Sequence, residues 1–111
     1  MKSFLLLFFL TTSLVTFSQR DIPPHAGIWV HDDASILSPS TKAELEAVLK
    51  HHRDSTSNQI AVLLIPSLDG DDIDDYANRV FQEWKLGNEK KDNGVLFLIA
   101  MQDKKMRVEV G

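Results

Sequence analysis

The chain is 111 residues long, carries a net charge of −4 and contains no cysteine. That length fits one domain, and the missing cysteine excludes disulfides, thiolate metal sites and lipid attachment at a processed N-terminus. The charge pattern argues against nucleic acid as a partner: Lys90 with Lys91 and Lys104 with Lys105 are isolated pairs, while acids gather at Asp32, Asp33 and between Asp69 and Asp75.

Residues 1–18 read as a secretory signal peptide. Lys2 supplies a positive start, Phe4 to Leu10 an unbroken apolar core, and Thr16 and Ser18 the small residues ahead of a cut before Gln19. The apolar segment is shorter than the roughly 20 residues that span a bilayer. The protein is therefore expected to be exported, to a periplasm or the cell exterior. Residues 19–27, with Pro23 and Pro24, are expected to form an extended, poorly ordered lead-in. Residues 28–111 form the domain proper, opening on a segment that tucks Trp29 or Val30 against the core and then turns through His31, Asp32 and Asp33.

Ser38 and Pro39 start the first helix. The Ser38 hydroxyl can accept from a free backbone N–H, and Pro39 at the first helical position loses no bond it could have made. Leu45, Val48, Leu49 and His52 then fall on one face. Glu46 and Lys50 form an i,i+4 pair in the favourable order. Poor helix formers from Asp54 to Asn58 end the helix near Arg53. His51 and His52 are neighbours, so they point about 100 degrees apart and are read as surface or edge residues.

Ile60 to Ile65 is a continuous apolar run stopped by Pro66, which reads as a buried strand. A second helix follows, capped by Asp71 or Asp72. Ile73, Tyr76, Ala77, Val80, Phe81 and Trp84 give it the clearest helical stripe in the chain, and Leu86 with Gly87 closes it. Val95 to Met101 reads as a central strand buried on both faces. Met106 to Val110 alternates, with Met106, Val108 and Val110 on one face and Arg107 and Glu109 on the other, as its antiparallel neighbour. The order helix, strand, helix, strand, strand gives an α/β fold with a small mixed sheet, joined by a parallel, right-handed crossover. Three strands and two helices leave one sheet face poorly covered. Either a longer parent protein or a partner would supply the cover, and the first is preferred.

No nucleophile–base–orienter constellation, phosphate loop, dinucleotide motif or His-Glu-x-x-His spacing occurs. Carboxylates remain. Asp32 and Asp33 sit in the turn before the first helix, and Asp92 and Asn93 in the loop before the central strand. Oxygen donors of this kind suit a hard cation such as calcium or magnesium. Turn and cap duties compete with that reading for Asp32 and Asp92. Loops that follow and precede parallel strands fall on opposite rims, which makes Asp69, after the first strand, the weakest member of such a group. Asp71 to Asp75 reads as a solvated helix start.

The ordered set of motifs resembles the TPM-domain family of thylakoid-lumen and exported bacterial proteins. It runs from Val30-His31-Asp32-Asp33-Ala34-Ser35-Ile36-Leu37-Ser38 through Gln59-Ile60-Ala61-Val62 and Ser67-Leu68-Asp69-Gly70. It continues with Ile73, Tyr76, Ala77, Trp84 and Gly87, then Asp92-Asn93-Gly94-Val95-Leu96 and Arg107-Val108-Glu109-Val110-Gly111. The resemblance implies an α/β/α sandwich, export, and often a membrane tether through a C-terminal segment. It also implies divalent-cation binding and an acid phosphatase activity. It carries the family's aspartate onto Asp32 and its Asn-Gly onto Asn93 and Gly94, with Asp92 and Asp33 as neighbours. His31 and Asp33 stand where the family commonly has Asn and Tyr. The family normally continues past Gly111 with a glycine-rich link and a helix. Three functions are weighed: a cation-binding accessory module for envelope protein maintenance with a protein partner, a metal-dependent phosphomonoesterase, and a structural domain whose open sheet face docks on another chain.

Overall fold

The computed structural model describes residues 19–88 and 90–111. The expected signal peptide and Glu89, the first residue of the loop before the central strand, lie outside the described residues. The elements are β1 (Val30–Asp32), α1 (Pro39–Thr56), β2 (Gln59–Ile65), α2 (Ile73–Trp84), β3 (Gly94–Ala100) and β4 (Lys105–Val110). The sheet order is β1-β2-β3-β4, parallel across the first two pairs and antiparallel across β3 and β4. The three expected strands are present within one or two residues of their expected bounds. The fourth, β1, is the segment expected only as extended chain.

Register decides which side chains share a face. Ala61, Leu63 and Ile65 of β2 stand beside Leu96, Leu98 and Ala100 of β3. All six are fully buried. This face is covered by α2, whose Tyr76, Ala77, Val80 and Trp84 are buried in the same core. The residues in between point the other way, and α1 covers only part of that second face. Val30, register partner of Val62, is fully buried although it lies on an edge strand, and α1 packs on β1 and β2 there through Leu45 and Leu49. Helices on both faces make the molecule an α/β/α sandwich. Beyond α1, the β3–β4 half of the second face is open. Val95, Phe97 and Ile99 are half-buried, and Met106, Val108 and Val110 are 62%, 37% and 63% exposed. β3 is thus buried on one face only, and β4 turns its charged residues, Arg107 and Glu109, toward the α2 side.

The helix ends follow their chemistry. The Ser38 hydroxyl accepts from the Thr41 N–H with Pro39 in the first turn, and Asp72 caps α2 by accepting from the Asp75 N–H. α1 outlasts its expected end at Arg53 by three residues. The Thr56 hydroxyl donates back to the His52 carbonyl, and Ser57 takes the left-handed conformation while its N–H closes on the Arg53 carbonyl. α2 stops earlier than expected, with Lys85 rather than a glycine in the left-handed conformation. Gly87 serves another purpose: a side chain there would sit 2.5 Å from the Gly94 nitrogen, so the α2–β3 loop can lie against the start of β3 only with glycine.

The Glu46–Lys50 pair expected from spacing is replaced by a longer-range contact. Glu46 Oε1 accepts from the backbone N–H groups of Trp29, at 2.9 Å, and Val30, at 2.8 Å. These donors lie at and just before the start of the edge strand β1, and satisfying them outweighs a solvent-exposed ion pair. The lead-in is not loose either. The Tyr76 hydroxyl donates to the Asp21 carbonyl and the Trp84 indole N–H to the Pro23 carbonyl, both at 2.8 Å, which fastens residues 19–24 along α2.

Candidate functional site

Strand direction divides the candidate residues between two rims. Asp32 ends β1 beside Leu64, near the C-terminal end of β2. Asn93 precedes Gly94, which pairs with Gln59 at the other end of β2. Five residue steps along β2 separate the two levels, roughly 16 Å at the usual rise. Asp32 and Asp33 therefore do not meet Asp92 and Asn93, and the four do not fit one cation. Among the described residues, no three carboxylate or imidazole groups converge as a metal would require. Asp69 follows β2 and so shares the rim of Asp32 and Asp33. It looked like the outlier only while β1 was not counted as a strand.

Three of the four have local work. Asp32 accepts from the N–H groups of Ile36 at 3.1 Å and Leu37 at 2.7 Å, folding the turn that leads into α1. Partial removal from water opposes ionisation there, but those N–H groups and nearby Lys42 prevail and hold its carboxyl below the usual value. Asn93 spans two loops: its Oδ1 accepts from the Asn88 N–H at 2.6 Å, and its amide donates to the Ser57 carbonyl at 2.8 Å. Asp92 is in the left-handed conformation and its N–H closes on the Asn88 carbonyl at 2.9 Å. It lines a cavity of about 560 Å³ with Phe81, Lys85 and Gly111. The Asn-Gly pair before β3 is therefore a loop clamp followed by a close backbone approach.

Asp33 is exposed and faces a cavity of about 480 Å³ at the C-terminal rim, which it shares with Arg20, Asp21 and Asp69. Ligands of open α/β sheets bind outside the carboxyl ends of the strands, which is this rim. Arg20 bonds Asp69 at 3.1 Å through one guanidinium nitrogen, while its Nε is buried without a partner. Asp71, expected to be solvated, is drawn in beside it by the Arg20 N–H and the Arg79 guanidinium. Asp103 accepts from the Leu68 N–H at 2.8 Å, tying the β3–β4 hairpin to the loop after β2.

A second cluster escaped the sequence reading. The rings of His25, His31, Trp29 and Trp84 pack together, with His31 4.5 Å and His25 5.0 Å from Trp84 between centroids. Burial pushes both histidines below their ordinary value; Asp33 and Glu46 offset this only in part for His31. His31 bonds the Ile28 carbonyl through Nε2 at 2.9 Å. The signal available in sequence was its position between Val30 and Asp32, which puts its side chain on the α2 face.

Residues 30–111 match the TPM domain. No curated protein matches the chain. Among solved structures it is similar to the N-terminal domain of a protein from P. gingivalis, determined by solution NMR, at 24% identity and a TM-score of 0.68. That match covers 83% of this chain and 65% of the solved one. A likeness at this identity concerns the fold, and it agrees with the sheet and helices described above. With the family matched from β1 through β4, the chain belongs to the TPM-domain family.

Proposed function

We propose that the chain is an exported accessory module that docks on a protein partner at the cell envelope through the open half of its sheet. One observation carries this reading: three apolar side chains of β4, Met106, Val108 and Val110, face water beside half-buried Val95, Phe97 and Ile99. Contiguous apolar surface bordered by charge is what interaction sites present. Export rests on residues 1–18, and among the described residues no helix is long and apolar enough to cross a membrane. Replacing Met106, Val108 and Val110 together by serine tests the proposal. The melting temperature should change little, because exposed positions contribute little to stability. Association of the exported chain with its partner should be lost. Unchanged association would overturn the reading.

Divalent-cation binding is a separate proposal. Among the described residues, Asp21, Asp33 and Asp69 line one cavity together. Thermal melts with EDTA, magnesium or calcium decide it, since a ligand at about 100 times its dissociation constant adds roughly 2.7 kcal/mol to the folded state. A rise that vanishes in Asp33→Ala and survives in Asp92→Ala supports an ion at that rim. A rise that vanishes only in Asp92→Ala moves the ion to the other rim, and no rise removes it. Phosphomonoester hydrolysis is the enzymatic reading. Its one favouring observation is Arg20 at the same cavity, a geometry that suits phosphate oxygens. Turnover that survives Arg20→Ala would sink it.

A further inference from the structure

We propose that the free edge of β4 pairs with the same edge of a second copy of this chain, in antiparallel register about Val108. The two edges of the sheet differ. At the start of β1, the Glu46 carboxylate takes the N–H of Val30 and that of Trp29 just before the strand, and so obstructs pairing there. On β4, Gly94 and Gly111 exchange both backbone bonds, which fixes the alternation of the ladder. Lys105, Arg107 and Glu109 then bond β3, and Met106, Val108 and Val110 turn their N–H and C=O groups outward. Among the described residues no side chain caps those outward N–H groups, and an uncapped edge is a template for another strand.

Charge selects the partner and the register. In a two-fold antiparallel pair about Val108, Met106 faces Val110 of the second copy and Val108 faces Val108. Lys105 falls opposite Gly111, and Arg107 falls opposite Glu109 twice. Opposite charges directly across a ladder are stabilising, and like charges are not. Sliding by two residues sets Arg107 against Arg107 or Glu109 against Glu109. Sliding by one places charged residues against apolar ones. The outward N–H and C=O groups of Met106, Val108 and Val110 match only in the Val108-centred frame along their whole length, which gives about six new inter-strand hydrogen bonds. This surface is the sheet edge, distinct from the open face proposed for the envelope partner, and the two stand or fall separately.

The chain has no cysteine, so single cysteines report the register directly. Val108→Cys places two sulfurs on residues about 5.5 Å apart at Cα, within disulfide reach. Met106→Cys leaves its two copies roughly 13 Å apart along the strands, beyond it. Under mild oxidation the full chain with Val108→Cys should form covalent dimer at least about ten times faster than with Met106→Cys. A mixture of Met106→Cys and Val110→Cys chains should cross-link as a heterodimer. Equal rates for Val108→Cys and Met106→Cys overturn the proposal. Sedimentation gives a second test free of oxidation. Arg107→Glu alone and Glu109→Arg alone should each be monomeric, and their mixture should dimerise, because every cross-strand pair is then opposite in charge. A mixture that stays monomeric, or single variants that still dimerise, overturns it as well.

Discussion

Replacing Glu46 by alanine should cost the domain about 2–4 kcal/mol. The Glu46 carboxylate accepts the Trp29 N–H at 2.9 and 3.1 Å and the Val30 N–H at 2.8 Å, at the start of a strand of three residues. A hydrogen bond to a charged group contributes roughly 1.5–3 kcal/mol. Glu46 is half-buried, so water replaces part of each bond, and the two together are worth about 2–4 kcal/mol rather than twice the full range. A domain of this size loses about 4–8 °C of melting temperature per kcal/mol, so the midpoint should fall by at least about 10 °C. Glu46→Gln keeps an Oε1 that can accept both N–H groups and should cost only about 1 kcal/mol, the share that belongs to charge. Lys50→Ala should stay within about 0.5 kcal/mol of the parent, since Glu46 is engaged with β1 and not with Lys50. Urea and thermal melts followed by circular dichroism measure all three. An alanine variant within about 0.5 kcal/mol of the parent would refute the assignment of Glu46 as the clasp of the β1 edge. So would a Lys50→Ala loss as large as that of Glu46→Ala.

Gly87→Ala should cost at least about 2 kcal/mol, because it combines a left-handed conformation at φ 77 with main-chain overlap at Gly94; a melt within a degree of the parent would show that the loop relaxes freely. Stability should hold steady above pH 6.5 and decline below it. His25 and His31 have folded values below 6.5, so the unfolded chain binds more protons as the pH falls through that window. Melts at pH 8, 6.5 and 5 test this, and His31→Phe should flatten the decline. Tyr76→Phe should cost about 1 kcal/mol and speed tryptic cleavage after Arg20, because the bond to the Asp21 carbonyl that holds the lead-in is gone; an unchanged cleavage rate would show that Trp84 alone holds it.

Long apolar runs were legible in the sequence because each must be buried as a strand. Ile60 to Ile65 and Val95 to Met101 became β2 and β3 with small shifts at the ends. The stripe from Ile73 to Trp84 became α2 for the same reason at helical period. β1 was not legible, since three residues that include His31 and Asp32 carry no periodicity and become a strand only through pairing with β2. That omission misplaced the candidate site. Without β1, Asp32 had no rim, and Asp69 looked remote from it instead of adjacent. Tyr76 and Trp84 did hold a usable hint: aromatic residues with polar tips on a buried stripe need acceptors, and the lead-in supplies them. Glu46 shows the limit of local spacing. Its i,i+4 partner was visible in the sequence, whereas the unpaired N–H groups of a distant edge were not.

The most direct test of docking through the open sheet face is site-specific photocross-linking in cells that export the chain. A photoreactive residue at Val110, on the open face, should capture one envelope protein of defined mass, in addition to any dimer of this chain, which its mass distinguishes. The same residue at Val48, on the exposed side of α1, should capture nothing comparable. Capture from Val48 as efficient as from Val110, or none from Val110 in a chain that melts normally, would contradict the docking account.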